Sequence, residues 1–123
     1  MTQEVDLDAI IDALGELGFV VRDAGLLASA LHRPHTTLFG DDAYPSLSLK
    51  GAALVESLAQ NHPMADGNKR SAWICLNVFL GLNGYELRAQ TDDAYAFMLD
   101  VANSRLSLEA TSEWISERLV ALG

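Results

Sequence analysis

Apolar residues recur at helical spacing along most of this chain, and the breaks in that rhythm mark its turns. Leu7, Ile10, Ile11, Leu14 and Leu17 follow the i, i+3, i+4, i+7 pattern of one helix face, with Gly15 and Gly18 loosening its end. A short apolar step, Phe19-Val20-Val21, leads to Arg22-Asp23. Asp23 is placed to cap a second helix over about 24–32, with Leu27, Ala30 and Leu31 inward, and Pro34 stops it. Residues 34–46 are rich in Gly, Pro, Asp and Thr and read as an exposed loop. A third helix from about Ser46 to Gln60 has Leu47, Leu54, Val55, Leu58 and Ala59 as core positions and delivers His62 at its C-terminal edge. From Ala72 to Leu82 the chain is apolar almost all round (Trp73, Ile74, Leu76, Val78, Phe79, Leu80). A helix without a polar face must be surrounded by others, so this one is expected at the centre of a bundle. Asn83-Gly84 ends it, and Tyr85 to Arg88 reads as briefly extended. Thr91-Asp92-Asp93 caps a fifth helix carrying Ala94, Phe97, Met98 and Val101, and Leu108, Ile115, Leu119 and Leu122 mark a sixth. No alternating run is long enough for a sheet and no repeat is present. The expected fold class is all-α, a compact bundle of about six helices around a central apolar helix.

Composition narrows the picture. The 123 residues suffice for a single domain, 1–123, with one modest core. Half the residues are apolar, and nine Gly and three Pro are too few for a disordered chain. The net charge of −9 argues against nucleic acid as a direct partner, since phosphate backbones want a basic face, and suits a cytoplasmic protein or one with a basic partner. The N-terminus has acids where a signal peptide needs cations, and no apolar run reaches membrane-spanning length, so no membrane association is expected. The lone Cys75 has no disulfide partner and reads as a buried, reduced filler.

Reactive chemistry is concentrated in residues 62 to 70, His62-Pro63-Met64-Ala65-Asp66-Gly67-Asn68-Lys69-Arg70. A base and an acid lie four apart, and Gly-Asn opens a helix whose first turn carries two cations. Helix N-termini already bear unpaired N–H groups and partial positive charge, so Lys69 and Arg70 are electrostatically misplaced there. A bound phosphate would resolve the conflict. His62 is either a helix-end residue favoured by the dipole or a general base able to take a hydroxyl proton. Asp66 is either a helix cap or, beside phosphates, a ligand for Mg²⁺ that keeps most of its waters. Gly67 permits close approach of backbone to an anion, Asn68 can donate through its amide, and Arg70 offers a planar fork. The segment is no Walker A motif, because the leading glycine of GxxxxGK is missing.

His62-Pro63-x-x-Asp66-Gly67-Asn68-Lys69-Arg70 resembles the signature of the Fic/Doc superfamily, HPFx(D/E)GN(G/K)R, and Lys69 places it on the Doc (death-on-curing) side. The flanks agree: Arg22-Asp23-x-Gly25-Leu26-Leu27-x-Ser29-Ala30-Leu31 and Arg33-Pro34 upstream, Phe79-Leu80 and Asn83-Gly84-Tyr85 downstream. Met64 departs from the pattern, standing where the family usually has Phe. The resemblance implies a protein kinase that moves the terminal phosphate of ATP onto a threonine of elongation factor Tu and halts translation. It further implies a toxin held in check by an antitoxin whose C-terminal segment covers the active-site side. By position, His62 would be the base, Asp66 the Mg²⁺ anchor, and Gly67, Asn68, Lys69 and Arg70 the nucleotide-binding phosphate cradle. Residues 34–46 would form a flap over the target site. Self-restraining relatives carry a (Ser/Thr)-x-x-x-Glu-(Gly/Asn) helix; no segment here matches it, so restraint is expected from a second chain. Two other classes stay open: a transferase of the same fold that moves AMP, and a non-catalytic binding or regulatory module.

Elsewhere the bland readings prevail. His32 and His35 have metal-like spacing but Pro34 lies between them, and both read as surface histidines. Arg22 suits a structural bond as well as a substrate contact. Trp73 and Trp114 read as core, and Glu4, Asp6, Asp8 and Asp12 as a solvated acidic face.

Overall fold

Small residues allow one helix to lie inside the others. In the computed structural model, which describes residues 1–123, α3 (Leu47–Asn61) buries an unbroken run from Lys50 to Val55 and again Ser57 to Ala59. Gly51, Ala52, Ala53 and Ala59 add little or no bulk to its surface. A Cβ on Gly51 would stand 3.1 Å from Leu76 Cδ1, so glycine sets how closely α4 (Asn68–Leu82) can cross. Around α3 pack α2 (Ala24–His32), α4, α5 (Thr91–Ala102) and α6 (Leu108–Ser116), and α1 (Leu7–Glu16) packs on α2. The architecture is the expected six-helix, all-α one. Its centre, however, is α3 rather than the 72–82 segment. Helix α4 leaves Val78 and Leu82 exposed, whereas small side chains let α3 be enclosed on every side.

Caps follow side-chain chemistry at four helices. Asp6, Asp23, Ser46 and Ser107 each accept a hydrogen bond from the backbone N–H three residues on. Helix α5 differs from expectation: its N-cap is Gln90, which makes no side-chain cap, and Asp92 and Asp93 lie in the first turn, where they complement the dipole. Leu17 falls just past α1 and is exposed.

The sixth helix stops at Ser116, before Leu119 and Leu122. Strand β4 (Leu119–Ala121) instead pairs antiparallel with β3 (Tyr85–Leu87) in the register Leu87↔Leu119. Tyr85 to Leu87 would otherwise present unpaired backbone groups at the end of α4, and the last residues satisfy them. Cys75 is buried, and desolvation pushes its thiol up to about 12, which keeps it protonated and inert. Trp73, Phe97 and Trp114 join α4, α5 and α6, with Phe97 and Trp114 stacked at 3.8 Å between centroids.

Residues 34–46 are more structured than a loop. A 3₁₀ turn (Arg33–His35) is followed by a two-stranded hairpin (β1, Thr37–Leu38; β2, Asp41–Asp42) whose tip, Phe39-Gly40, has both φ angles positive. The buried Lys50 ammonium ties this hairpin to α3 through Asp42 Oδ2 (3.1 Å) and the Tyr44 carbonyl (2.6 Å). His35 is not the surface residue expected: its ring packs edge-on to Phe79, and its Nε2 is buried without a hydrogen-bond partner. Burial pushes its pKa below the ordinary value against the pull of Glu4. Nor is Glu4 merely solvated, since it bonds His32 Nδ1 at 3.0 Å.

Arg33 is the node of this region. Its guanidinium donates to Tyr44 Oη, the Ala53 carbonyl, Glu56 Oε1 and Ser57 Oγ at 2.9–3.1 Å. Burial opposes its charge, but the bonds to Tyr44 and Glu56 outweigh that and hold its pKa above the ordinary value. Arg33→Met keeps the apolar stem and strands the acceptors. Urea unfolding should show a loss of about 2–4 kcal/mol with an unchanged m-value, whereas a loss under ~0.5 kcal/mol would mean that water replaces the network.

Candidate active site

The loop between α3 and α4 is held as if it were a strand. His62 ends α3 in the left-handed conformation (φ 55, ψ 58), which costs a non-glycine residue about 1–2 kcal/mol. The Arg22 guanidinium donates to the His62 carbonyl. The next carbonyl, of Pro63, accepts from the N–H groups of Arg22 (2.9 Å) and Asp23 (3.0 Å), and Ala65 N–H donates to the Val20 carbonyl at 2.9 Å. Val21 and Met64 form an antiparallel bridge, with the Met64 side chain buried to 2% exposure. The flexible thioether therefore fills the anchor position fully. Arg22 acts on the loop's backbone, so its structural role is the one the geometry displays.

Asn68 completes the loop from the other side. Its Oδ1 accepts from Met64 N–H at 2.9 Å and its Nδ2 donates to the Met64 carbonyl at 3.1 Å. Oδ1 and one Nδ2–H are thus engaged, which leaves Asn68 its backbone N–H and the second Nδ2–H to offer a ligand. Asp66 does not cap α4; its Oδ1 accepts from Gly67 N–H at 2.8 Å, and Oδ2 is left without a protein partner.

Helix α4 opens without a side-chain cap. Its first helical bond is Ser71 N–H to the Gly67 carbonyl, so the N–H groups of Asn68, Lys69 and Arg70 have no acceptor within the helix. Gly67 is required twice over. Its φ is +71, and an added Cβ would lie 2.7 Å from Phe19 Cε1 and 3.1 Å from Arg70 Nη2. Phe19 supports the Arg70 guanidinium, which sits 5.4 Å from the ring centroid.

These parts open onto one cavity of about 910 Å³. All six candidate residues, His62, Asp66, Gly67, Asn68, Lys69 and Arg70, line it at one end, while Trp73, Ile74, Ala94, Tyr95 and Met98 form an apolar wall from α4 and α5. Nothing in the sequence marks Phe19 or the α5 wall as part of a site. Phe19 lies in a short apolar step, and Ala94 and Met98 fit the helical period of core residues, which is the same for a core face and a cavity wall. No residue of 34–46 lines the cavity. Lys50, which anchors the hairpin, lies about 18 Å from His62 along α3 at 1.5 Å per residue.

A family model described as the Fic/DOC family matches residues 4–80. The chain belongs to the Fic/DOC family. It is also similar to the Toxin Doc of Mycolicibacterium smegmatis, 43% identical over 116 residues that cover 89% of this chain and 88% of that protein. The Fic/DOC match contains the whole clasped loop and the N-terminal turn of α4, and it ends before α5, so the apolar wall on that helix lies beyond it.

The crowding at Gly67 can be tested directly. Gly67→Ala should destabilise the fold by about 2–3 kcal/mol, from left-handed strain plus the overlap with Phe19. In a Phe19→Ala background the same change should cost only the strain, about 1–2 kcal/mol, read by denaturant melts of the four-protein cycle. Equal costs in both backgrounds would show that the ring yields without resistance.

Proposed function

We propose that this chain is a Doc-type toxin: an enzyme that transfers the terminal phosphate of ATP to a hydroxyl of a protein and is restrained by an antitoxin. The observation that carries the reading is the uncapped, doubly cationic N-terminus of α4, facing the same cavity as His62 and Asp66. Three free N–H groups, the Lys69 ammonium and the Arg70 fork form a cradle for phosphate oxygens. The likeness to a protein named Toxin Doc supports the toxin part of the reading. The target carried over from the resemblance of the signature is elongation factor Tu, with translation arrest as the outcome, and the restraint is an antitoxin whose C-terminal segment covers the cavity.

His62 accepts the proton of the acceptor hydroxyl as the hydroxyl oxygen bonds to the γ-phosphorus. The bond from that phosphorus to the β–γ bridging oxygen breaks, and ADP leaves. Phosphoryl transfer depends chiefly on positioning and charge neutralisation, so the chain's contribution is to hold the γ-phosphate beside His62 with Lys69 and Arg70. No cluster of three His, Cys, Asp or Glu side chains converges to hold a resident ion. One carboxylate with a free oxygen, Asp66, fits Mg²⁺ arriving with the phosphates, the ion supplying charge neutralisation at their oxygens when bound.

Expression of the chain alone should arrest growth of a related bacterial host, and His62→Ala should relieve the arrest while leaving the melting temperature unchanged. With labelled ATP, γ-label should pass to protein and α-label should not. Transfer of α-label would make the chain an AMP transferase, and arrest that survives His62→Ala would remove His62 as the base.

Asp66→Asn should weaken ATP binding at least about tenfold in the presence of Mg²⁺ and leave Mg²⁺-free binding unchanged, as calorimetric titration would show. Equal affinity of the wild type with and without Mg²⁺ would rule out the metal role.

A further inference from the structure

Two oppositely charged side chains of the site reach the same glycine and do not pair. Asp66 Oδ1 accepts from Gly67 N–H at 2.8 Å, and Arg70 Nη2 lies 3.1 Å from the position that a Gly67 Cβ would take. Asp66 and Arg70 also line a side cavity of about 130 Å³ that shares Phe19 with the main one, and Asp66 is the one acid lining either. Asp66 Oδ2 has no protein partner, and an arginine stem is long enough to swing toward it. Even so, no ion pair joins the two residues. The guanidinium instead faces the Phe19 ring, 5.4 Å from its centroid.

That ring is firmly mounted. Phe19 N–H donates to the Leu14 carbonyl at 3.0 Å, at the end of α1. The carbonyl of the next residue, Val20, accepts from Ala65 N–H at 2.9 Å, which ties Phe19 to the loop carrying Asp66. A cation–π contact and an ion pair at a solvent-open site are of similar strength, so one ring can decide between them.

We propose that the face of Phe19 holds Arg70 away from Asp66, so that the guanidinium stays free for phosphate and the carboxylate for Mg²⁺. Phe19 is a positioning residue in this arrangement and touches no reacting atom. The benefit to the ligand rests on the reading of the cavity as a phosphate site, whereas the separation of the charges is a property of the unliganded chain. Without the ring, Arg70 turns to Asp66, and each charge is neutralised by the other rather than by a ligand.

Two measurements test this, one with a ligand and one without. Inorganic tripolyphosphate, titrated calorimetrically in the absence of Mg²⁺, reads the cradle alone. Phe19→Ala should lower its affinity about fivefold, and Phe19→Leu, which keeps apolar bulk without a π-face, should do the same. Removing the competing carboxylate should undo the loss: Phe19→Ala with Asp66→Asn should bind within twofold of Asp66→Asn alone. A loss that persists without the carboxylate would overturn the proposal by making Phe19 a general support of the cradle, and wild-type affinity in Phe19→Leu would overturn it by making bulk sufficient. The second measurement is a set of thermal melts without ligand. Asp66→Asn and Arg70→Gln should be additive in the wild type and non-additive by about 2 °C or more in Phe19→Ala, where the ion pair forms. Additivity in both backgrounds, or coupling already present in the wild type, would overturn the separation itself. A wild type that binds no tripolyphosphate would overturn the phosphate reading and the benefit assigned to Phe19, while the melts still decide whether the ring keeps the two charges apart.

Discussion

The Met64 backbone is held on both sides: its neighbours Pro63 and Ala65 bond to Arg22 and Val20 in the bridge that sets it opposite Val21, and its own N–H and carbonyl exchange a reciprocal pair of hydrogen bonds with the Asn68 amide. The candidate site depends on that double attachment. It fixes where α3 stops and where α4 starts, and therefore where an imidazole, a carboxylate and a helix N-terminus meet. The left-handed turns at His62 and Gly67 are strained or glycine-dependent, and they persist because the residues between them cannot slide. The chemistry of the segment divides into two tasks. Pro63, Met64 and Asn68 hold the loop, and His62, Asp66, Lys69 and Arg70 face outward from it.

Much of this arrangement is legible in the chain, because local signals and tertiary demands agree over long stretches. The cap at Asp23, the start of α3 near Ser46, the inward faces of Leu27, Ala30 and Leu31, and the grouping of the six-residue constellation on one cavity all fall where residue chemistry places them. What is not legible is set by partners distant in sequence. Val20 to Asp23 becomes the strand partner of a loop some forty residues away, and nothing in its own composition says so. Leu119 continues the apolar period of α6 but is drawn off to pair with Leu87. The dual use of Asn68 illustrates a further limit: an amide can clasp a loop or bind phosphate, and only the fold reveals which acceptor reaches it first.

Enclosure explains why α3, not the more apolar α4, holds the centre. Hydrophobicity measures how strongly a helix avoids water, whereas the number of neighbours it can accept depends on how closely they approach. Alanine and glycine at 51–53 and 59 let other helices come near the α3 backbone, and the polar groups carried inside, Lys50 and Ser57, are matched by Tyr44, Asp42 and Arg33. The helix thus carries a hydrogen-bonded polar network between Lys50 and Ser57 and delivers His62 at its C-terminal end.

The order in which the parts occur along the chain has a consequence during synthesis. The Pro63 carbonyl bonds to N–H groups made some forty residues earlier, and the wall on α5 is added a further thirty residues later. A growing chain that has emerged only as far as α3 therefore holds Arg22 and Asp23 with nothing to bind. One that has emerged through α4 has the clasp but only one side of the cavity. The full cleft exists once α5, through Ala102, has left the ribosome. An incomplete translation product would carry the whole signature segment and still lack the second wall of its cavity.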